Sequence, residues 1–188
     1  MSQAKTLTTQ ELQQVLDFLK TKRYPERDRA MVLTSFYSGL RVSEIAALKM
    51  GDVVNNDGTI RNEIRLSADQ TKGGQPRTVF ISQKLQVELT NYLQTRHARF
   101  SDIPFFHTSS RLGFSANSLC QWFFWLYRDA GIAGASSHSG RRTFISGLAN
   151  KGISVRVLAG LAGHKSIAVT QKYIDLNPEM MRNAVELV

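Results

Sequence analysis

Six residues of this sequence carry side chains that together could break and remake a phosphodiester: Arg41, Lys72, His138, Arg141, His164 and Tyr173. The permanently charged, fork-shaped guanidinium of arginine suits both non-bridging oxygens of a phosphate and offsets the charge of a pentacoordinate transition state. A lysine can protonate an alkoxide leaving group, and a histidine titrating near neutral pH can move a nucleophile's proton. A tyrosine, with an ordinary pKa of about 10, is protonated at neutral pH and needs that help to attack. Neither His138 nor His164 has a cysteine or second histidine at ligand spacing, so the set implies cleavage with no metal and no cofactor.

Taken singly, each residue also has an ordinary reading. Arg41, after Gly39 at a helix junction, fits a surface cation, and Lys72 in a glycine-containing turn fits a solvated one. His138 and Arg141, three apart, fit a helix-surface pair; His164 after Gly163 fits a helix terminator, and Tyr173 a half-buried aromatic with a wet hydroxyl. Only their joint occurrence points to chemistry.

The elements that must hold them follow from periodicity. Thr8 opens a capping box with Glu11, and Leu12, Val15, Leu16 and Leu19 follow at helical spacing. A second helix is expected from about Arg27 to Ser38, stopping at Gly39, and a third from Ser43 to Met50, ended by Gly51 and Asp52. The period then changes: Ile60, Ile64 and Leu66, then Val79 and Ile81, mark a small antiparallel sheet whose turn, Thr71 to Pro76, contains Lys72. From Ser82 the helical period returns, with Leu85, Leu89, Tyr92, Leu93 and Arg96 on one face. Ser115 caps a further helix ending at Gly131, and its Trp122 to Tyr127 cluster is expected to be core. Short helices are expected over Ser139 to Asn150, Ser154 to Leu161 and Ser166 to Tyr173, with a last one starting at Asn177 and Pro178. The fold class is mainly α with a small antiparallel β-sheet (α+β), as one domain over residues 1–188.

Composition narrows the partner. At 188 residues the chain is about one domain's worth, and 24 Lys plus Arg against 15 Asp plus Glu give a net charge of +9. That excess favours a polyanion such as nucleic acid, with a membrane surface as the competing partner. No apolar stretch approaches the roughly 20 residues a bilayer demands, and the polar N-terminus lacks a signal-peptide core, so a cytoplasmic location is expected. The one cysteine, Cys120, excludes an internal disulfide and a multi-cysteine zinc site and is expected to be a buried small hydrophobe.

The order and wording of these motifs resemble the tyrosine recombinases, or phage integrase family. Ser38-Gly39-Leu40-Arg41-Val42-Ser43-Glu44 resembles the family's first arginine box, continued by Leu48 to Val53. Lys72 lies in the turn where the family carries a catalytic lysine. His138-Ser139-Gly140-Arg141 matches its HxxR box, Ala162-Gly163-His164 its glycine–histidine step, and Tyr173 follows that histidine at the family's nine-residue interval. The resemblance runs from about Leu7 to the C-terminus. Three features depart from it: Arg142 stands where the family often has histidine, Gly140 replaces a common leucine, and about six residues precede the first helix where most members carry a separate DNA-clamping domain. The chain therefore resembles either a compact catalytic-domain-only recombinase or a fragment of a longer one.

The resemblance implies the tyrosine recombinase catalytic-domain fold and site-specific cutting and rejoining of double-stranded DNA, independent of metal and ATP. Tyr173 would attack and form a 3′-phosphotyrosyl bond, Arg41 and Arg141 hold the phosphate with His164, Lys72 protonate the leaving hydroxyl, and His138 act as acid/base with Tyr173. It further implies a homotetramer on two DNA sites, weakly associated or monomeric without DNA, with room for accessory DNA-binding proteins and no membrane partner. Met181, Ala184, Val185 and Val188 form an apolar stripe on the C-terminal helix, 177–188, which either folds back on its own domain or is exchanged between subunits. The alternatives are a DNA-binding regulator with the fold but no chemistry and a type IB topoisomerase-like enzyme.

Overall fold

The structure, a computed structural model, describes residues 4–71, 73–96, 100–110, 112–174, 181, 182, 185 and 186. In chain order the elements are α1 (Thr9–Leu19), α2 (Pro25–Ser38), α3 (Val42–Ala46), α4 (Met50–Val53), β1 (Glu63–Leu66), a 3-10 turn (Ala68–Gln70), β2 (Arg77–Phe80), α5 (Gln83–Gln94), α6 (Ala116–Asp129), α7 (Ser139–Asn150), α8 (Val155–Ala162) and α9 (Ile167–Gln171). The mainly helical fold with one small antiparallel sheet is the one expected from the sequence.

α2 is the central helix, buried nearly all round by Ala30 to Phe36, and packs against both α5 and α7. Pro25 occupies its first turn, where the missing N–H costs nothing. It ends at Gly39, whose φ of +63° is left-handed and where a Cβ would lie 2.5 Å from Phe144 Cδ1 of α7. Gly140 explains how close α2 and α7 come: a Cβ there would sit 2.3 Å from Ser35 Oγ. A leucine at 140 would not fit this helix pair.

The capping box at α1 forms, with Thr8 N donating to Glu11 and Glu11 N to Thr8 Oγ1 at 3.2 Å. The third expected helix, by contrast, splits into α3 and α4. Leu48 and Lys49 are extended at the break because they pair with the 103–105 segment: Phe105 N donates to Leu48 O at 2.7 Å and Met50 N to Ile103 O at 2.9 Å. Gly51 and Asp52 thus lie inside α4, and Asp52 caps it through Lys49 N at 2.9 Å.

Along α6, Phe123, Leu126 and Tyr127 are buried and Trp122 half-buried, whereas Phe124 and Trp125 are 55% and 47% exposed. The expectation that this cluster is mostly core is corrected to that extent: a helix packed on one side cannot bury six consecutive residues. Arg128 lies over the Trp125 ring at 3.9 Å on the open face.

In the sheet Ile64 pairs with Val79 and Leu66 with Arg77. Paired residues share a face, so Arg77 occupies a position in phase with the buried Val79. Ile60 stands outside the sheet and bridges to Val54. Among the described residues no helix is long and apolar enough to cross a membrane. The C-terminal helix expected at 177–188 lies largely outside the described residues; of its apolar stripe Met181 and Val185 are described, and both are exposed.

Candidate active site

An eight-residue helix, α8, organises the site through its C-terminal end. Gly163, at φ +63°, turns the chain out of the helix, and His164 N closes the turn on Ala159 O at 3.0 Å. Leu161, Ala162 and Gly163 are left with carbonyls that no helical N–H can reach. Each accepts from a different arginine: Leu161 O from Arg77 Nη1 at 3.0 Å, Ala162 O from Arg141 Nη2 at 2.6 Å, and Gly163 O from Arg41 Nη2 at 3.2 Å. The negative end of the helix dipole favours this cluster of cations. Three segments distant in sequence are thereby drawn to one point.

A single carboxylate stands among the three. Glu44, fully buried at the start of α3, accepts from Arg41 Nη1 at 2.8 Å and Arg41 N at 2.8 Å, and from Arg77 Nη2 at 2.7 Å. Burial pushes this carboxyl up, but the hydrogen bond and charge of Arg77, joined by Arg41, outweigh it and hold the pKa below the usual carboxylate range. Among the described residues, three guanidinium charges against the one carboxylate of Glu44 leave this cluster electropositive.

Arg141 lies deepest, at 3% exposure, with Nη1 donating to Gly39 O at 2.6 Å. Burial, then the neighbouring Arg41, push its guanidinium down to about 10, which leaves it charged at neutral pH. Nη2 also meets His164 Nε2 at 2.9 Å. A guanidinium only donates, so Nε2 carries the lone pair and the imidazole proton sits on Nδ1, which donates to the buried Thr170 Oγ1 at 2.8 Å. Burial and the charges of Arg141, Arg41 and Arg77 lower the His164 pKa to about 4.

Tyr173 follows α9 in a turn closed by Tyr173 N on Thr170 O at 2.9 Å, and its own carbonyl accepts from Ser146 Oγ of α7 at 2.9 Å. Its ring stacks on His164 with centroids 5.6 Å apart and 24° between planes. Arg142 lies over the same ring at 5.9 Å. A cleft of about 620 Å³ is lined by Arg41, Arg141, His164, Tyr173, the exposed His138 and the Ala47 and Asp69–Thr71 wall. Five of the six expected residues therefore meet in one place. Lys72 lies outside the described residues, immediately after Thr71 of the cleft wall. Cys120, expected to be buried, is half-exposed and lines this cleft, with Sγ 3.5 Å from Ser137 Oγ.

The phage integrase family model matches residues 5–180. The chain belongs to that family. It is 32% identical over 187 residues to tyrosine recombinase XerA of Pyrococcus furiosus, an alignment covering 97% of this chain and 61% of the relative. The chain thus spans about three-fifths of that relative's length. A crystal structure of XerA recombinase superposes with a TM-score of 0.77 at 24% identity, covering all of this chain and 66% of the other. The Tn1549 transposon integrase, solved in complex with a circular intermediate DNA, superposes at 0.76 with 16% identity, covering 100% and 67%.

Within this integrase-family fold, sequence reasoning missed Arg77, Glu44 as a bridge, and Thr170. Glu44 had a signal, since an acid three residues after Arg41 at a helix start has the spacing that reaches back to the cap. Arg77 also had one: it is in phase with Val79 and Ile81, where a strand half-buried in a core should not place a cation. Thr170 had none, because only the turn at Gly163 brings it to His164.

Proposed function

We propose that residues 1–188 act as the catalytic domain of a site-specific DNA recombinase that cuts and rejoins strands of double-stranded DNA through a 3′-phosphotyrosyl intermediate. What supports the reading is the convergence of Arg41, Arg141, His164 and Tyr173 on one electropositive cleft. A scissile phosphate entering that cleft meets Arg41 and Arg141 through two non-bridging oxygens. Tyr173 Oη attacks phosphorus as the P–O5′ bond breaks; His138 takes the phenolic proton and Lys72 delivers one to the leaving O5′. The phosphotyrosyl ester keeps the free energy of the broken diester, so a partner strand's 5′-hydroxyl reverses the step without ATP.

His164 is in the wrong tautomer to donate to phosphate from Nε2 while Arg141 holds that nitrogen. Phosphate arrival draws the Arg141 N–H to itself and frees Nε2, and its negative charge raises the histidine's affinity for a proton. The anion thus recruits His164 as a donor only when bound. In full the enzyme works in the cytoplasm as a homotetramer holding two DNA sites, with segment 177–188 exchanged between neighbours so that only some protomers cut at once, and accessory DNA-binding proteins can join it.

The experiment selects duplexes from random-sequence DNA on the full chain, nicks a recovered duplex near the binding site so that the cut end diffuses away, and scores covalent protein on a denaturing gel. A covalent adduct with a free 5′-hydroxyl supports the reading. Binding without any adduct on the selected duplexes returns the chain to the class of DNA-binding regulators.

A further inference from the structure

We infer that Arg77 is a positioning residue for this site, setting Arg41 through Glu44 and His164 through the end of α8, without meeting the phosphate. The inference rests on reading the cleft as a phosphodiester site.

A charged residue on the buried face of a two-stranded sheet needs a reason, because desolvation opposes it. The Arg77 side chain is 11% exposed and spends its donors on two targets. Nη2 and Nε take the Glu44 carboxylate at 2.7 and 3.4 Å, while Nη1 takes Leu161 O at 3.0 Å. The carboxylate that orients Arg41 is therefore itself oriented by Arg77, and each of its oxygens accepts from both arginines. The other arm pins the carbonyl three residues before His164.

Contact with Gly163 adds a second constraint. A Cβ at Gly163 would lie 2.5 Å from Arg77 Cδ and 2.9 Å from its Nε, so the left-handed turn that delivers His164 rests directly on this side chain. Arg77 also lines a cavity of about 390 Å³ beside Arg41 and His164, yet its Nε, Nη1 and Nη2 each donate to Glu44 or Leu161 O, so it touches the supports of two phosphate-facing groups. A lysine at 77 keeps the charge opposite Glu44 but, as a point donor, cannot hold the carboxylate and Leu161 O in one plane.

The test uses the full chain carrying Arg77→Lys, with Arg77→Gln as a second variant, and has two arms. Without DNA, nitrogen NMR on histidine-labelled protein reads the His164 tautomer; wild type shows the Nδ1–H form, and the variants are expected to lose that single signature while keeping a cooperative melt. With a nicked duplex selected on the full chain, Arg77→Lys is expected to cut about a hundredfold more slowly, the scale of a misplaced catalytic group. Its affinity for the same duplex is expected to stay within about twofold of wild type. A methylphosphonate at the scissile position removes the charge that Arg41 must meet, so it should narrow the gap between Arg77→Lys and wild type, as it should for Arg41→Lys. A purely structural role would slow both substrates equally.

Equal slowing, unchanged cutting with an unchanged His164 signature, or failure of both variants to fold overturns the inference. If wild type forms no Tyr173 adduct, the functional reading fails instead, and the His164 signature alone decides whether Arg77 holds the loop.

Discussion

Arg141 Nη2 lies 2.9 Å from His164 Nε2, and the arginine holds that imidazole neutral by occupying its lone pair. The pair makes stability depend on acid. Burial and the surrounding arginines hold His164 at about 4 in the folded chain, against 6.5 for an ordinary histidine, so between those values the unfolded chain binds the extra proton. The contribution is complete above about pH 6.5 and is lost as pH falls towards about 4. Urea unfolding at a series of pH values should show wild type losing stability across this window more steeply than His164→Gln; parallel curves would remove the proton linkage from this histidine.

Gly163 is expected to tolerate no side chain. Its φ of +63° is strained for alanine, and the added Cβ would strike Arg77 Cδ at 2.5 Å. Gly163→Ala should cost about 1 to 3 kcal/mol in denaturant unfolding, from backbone strain and overpacking together. A variant as stable as wild type would mean that the turn at the end of α8 is held more loosely than described.

The α2–α7 contact gives a prediction about helix packing beside the cleft. Gly140→Ala puts a Cβ 2.3 Å from Ser35 Oγ and 2.8 Å from Ser35 Cβ, and should destabilise by about 1 to 3 kcal/mol. Ser35→Gly in the same chain should recover part of that loss, which a double-mutant cycle measures as coupling. Additive effects would show that the two helices part freely at this point.

The adjacent arginines of α7 should separate by role. Arg141 is buried in the cluster at the end of α8, and Arg142 lies over the Tyr173 ring. Arg141→Lys should lose most strand cutting, because an ammonium cannot hold Gly39 O, Ala162 O and a phosphate together, whereas Arg142→Lys should lose much less. Cleavage rates on a selected duplex check the order, and a reversed order would put Arg142 at the phosphate.

Most of the frame was legible from local signals. Thr8 and Ser115 cap helices as expected, Ser82 and Ser154 cap the helices expected to begin at them, and Gly39, Gly131 and Gly163 end or follow helices with positive φ. The break between α3 and α4 was not legible, because Leu48 and Lys49 leave the helix to pair with a segment more than fifty residues away. The family resemblance marks Tyr173 as the candidate nucleophile by its interval from His164, yet its placement beside that ring depends on Ser146 of α7, which no local pattern couples to it. Arg77 shows the same limit: the alternation of β2 flags an inward cation, while only the folded chain reveals that Glu44 and Leu161 receive it.

The central claim is that Tyr173 carries the bond to DNA, and covalent capture with Tyr173→Phe tests it most directly. Removing one hydroxyl leaves the arginine cluster, the His164 stack and the cleft walls in place, so noncovalent affinity for a selected duplex should barely change. On a nicked suicide duplex wild type should accumulate a protein–DNA adduct whose linked peptide contains Tyr173, and Tyr173→Phe should form none. An adduct of equal yield in Tyr173→Phe, or one mapped to another residue in wild type, would contradict the account.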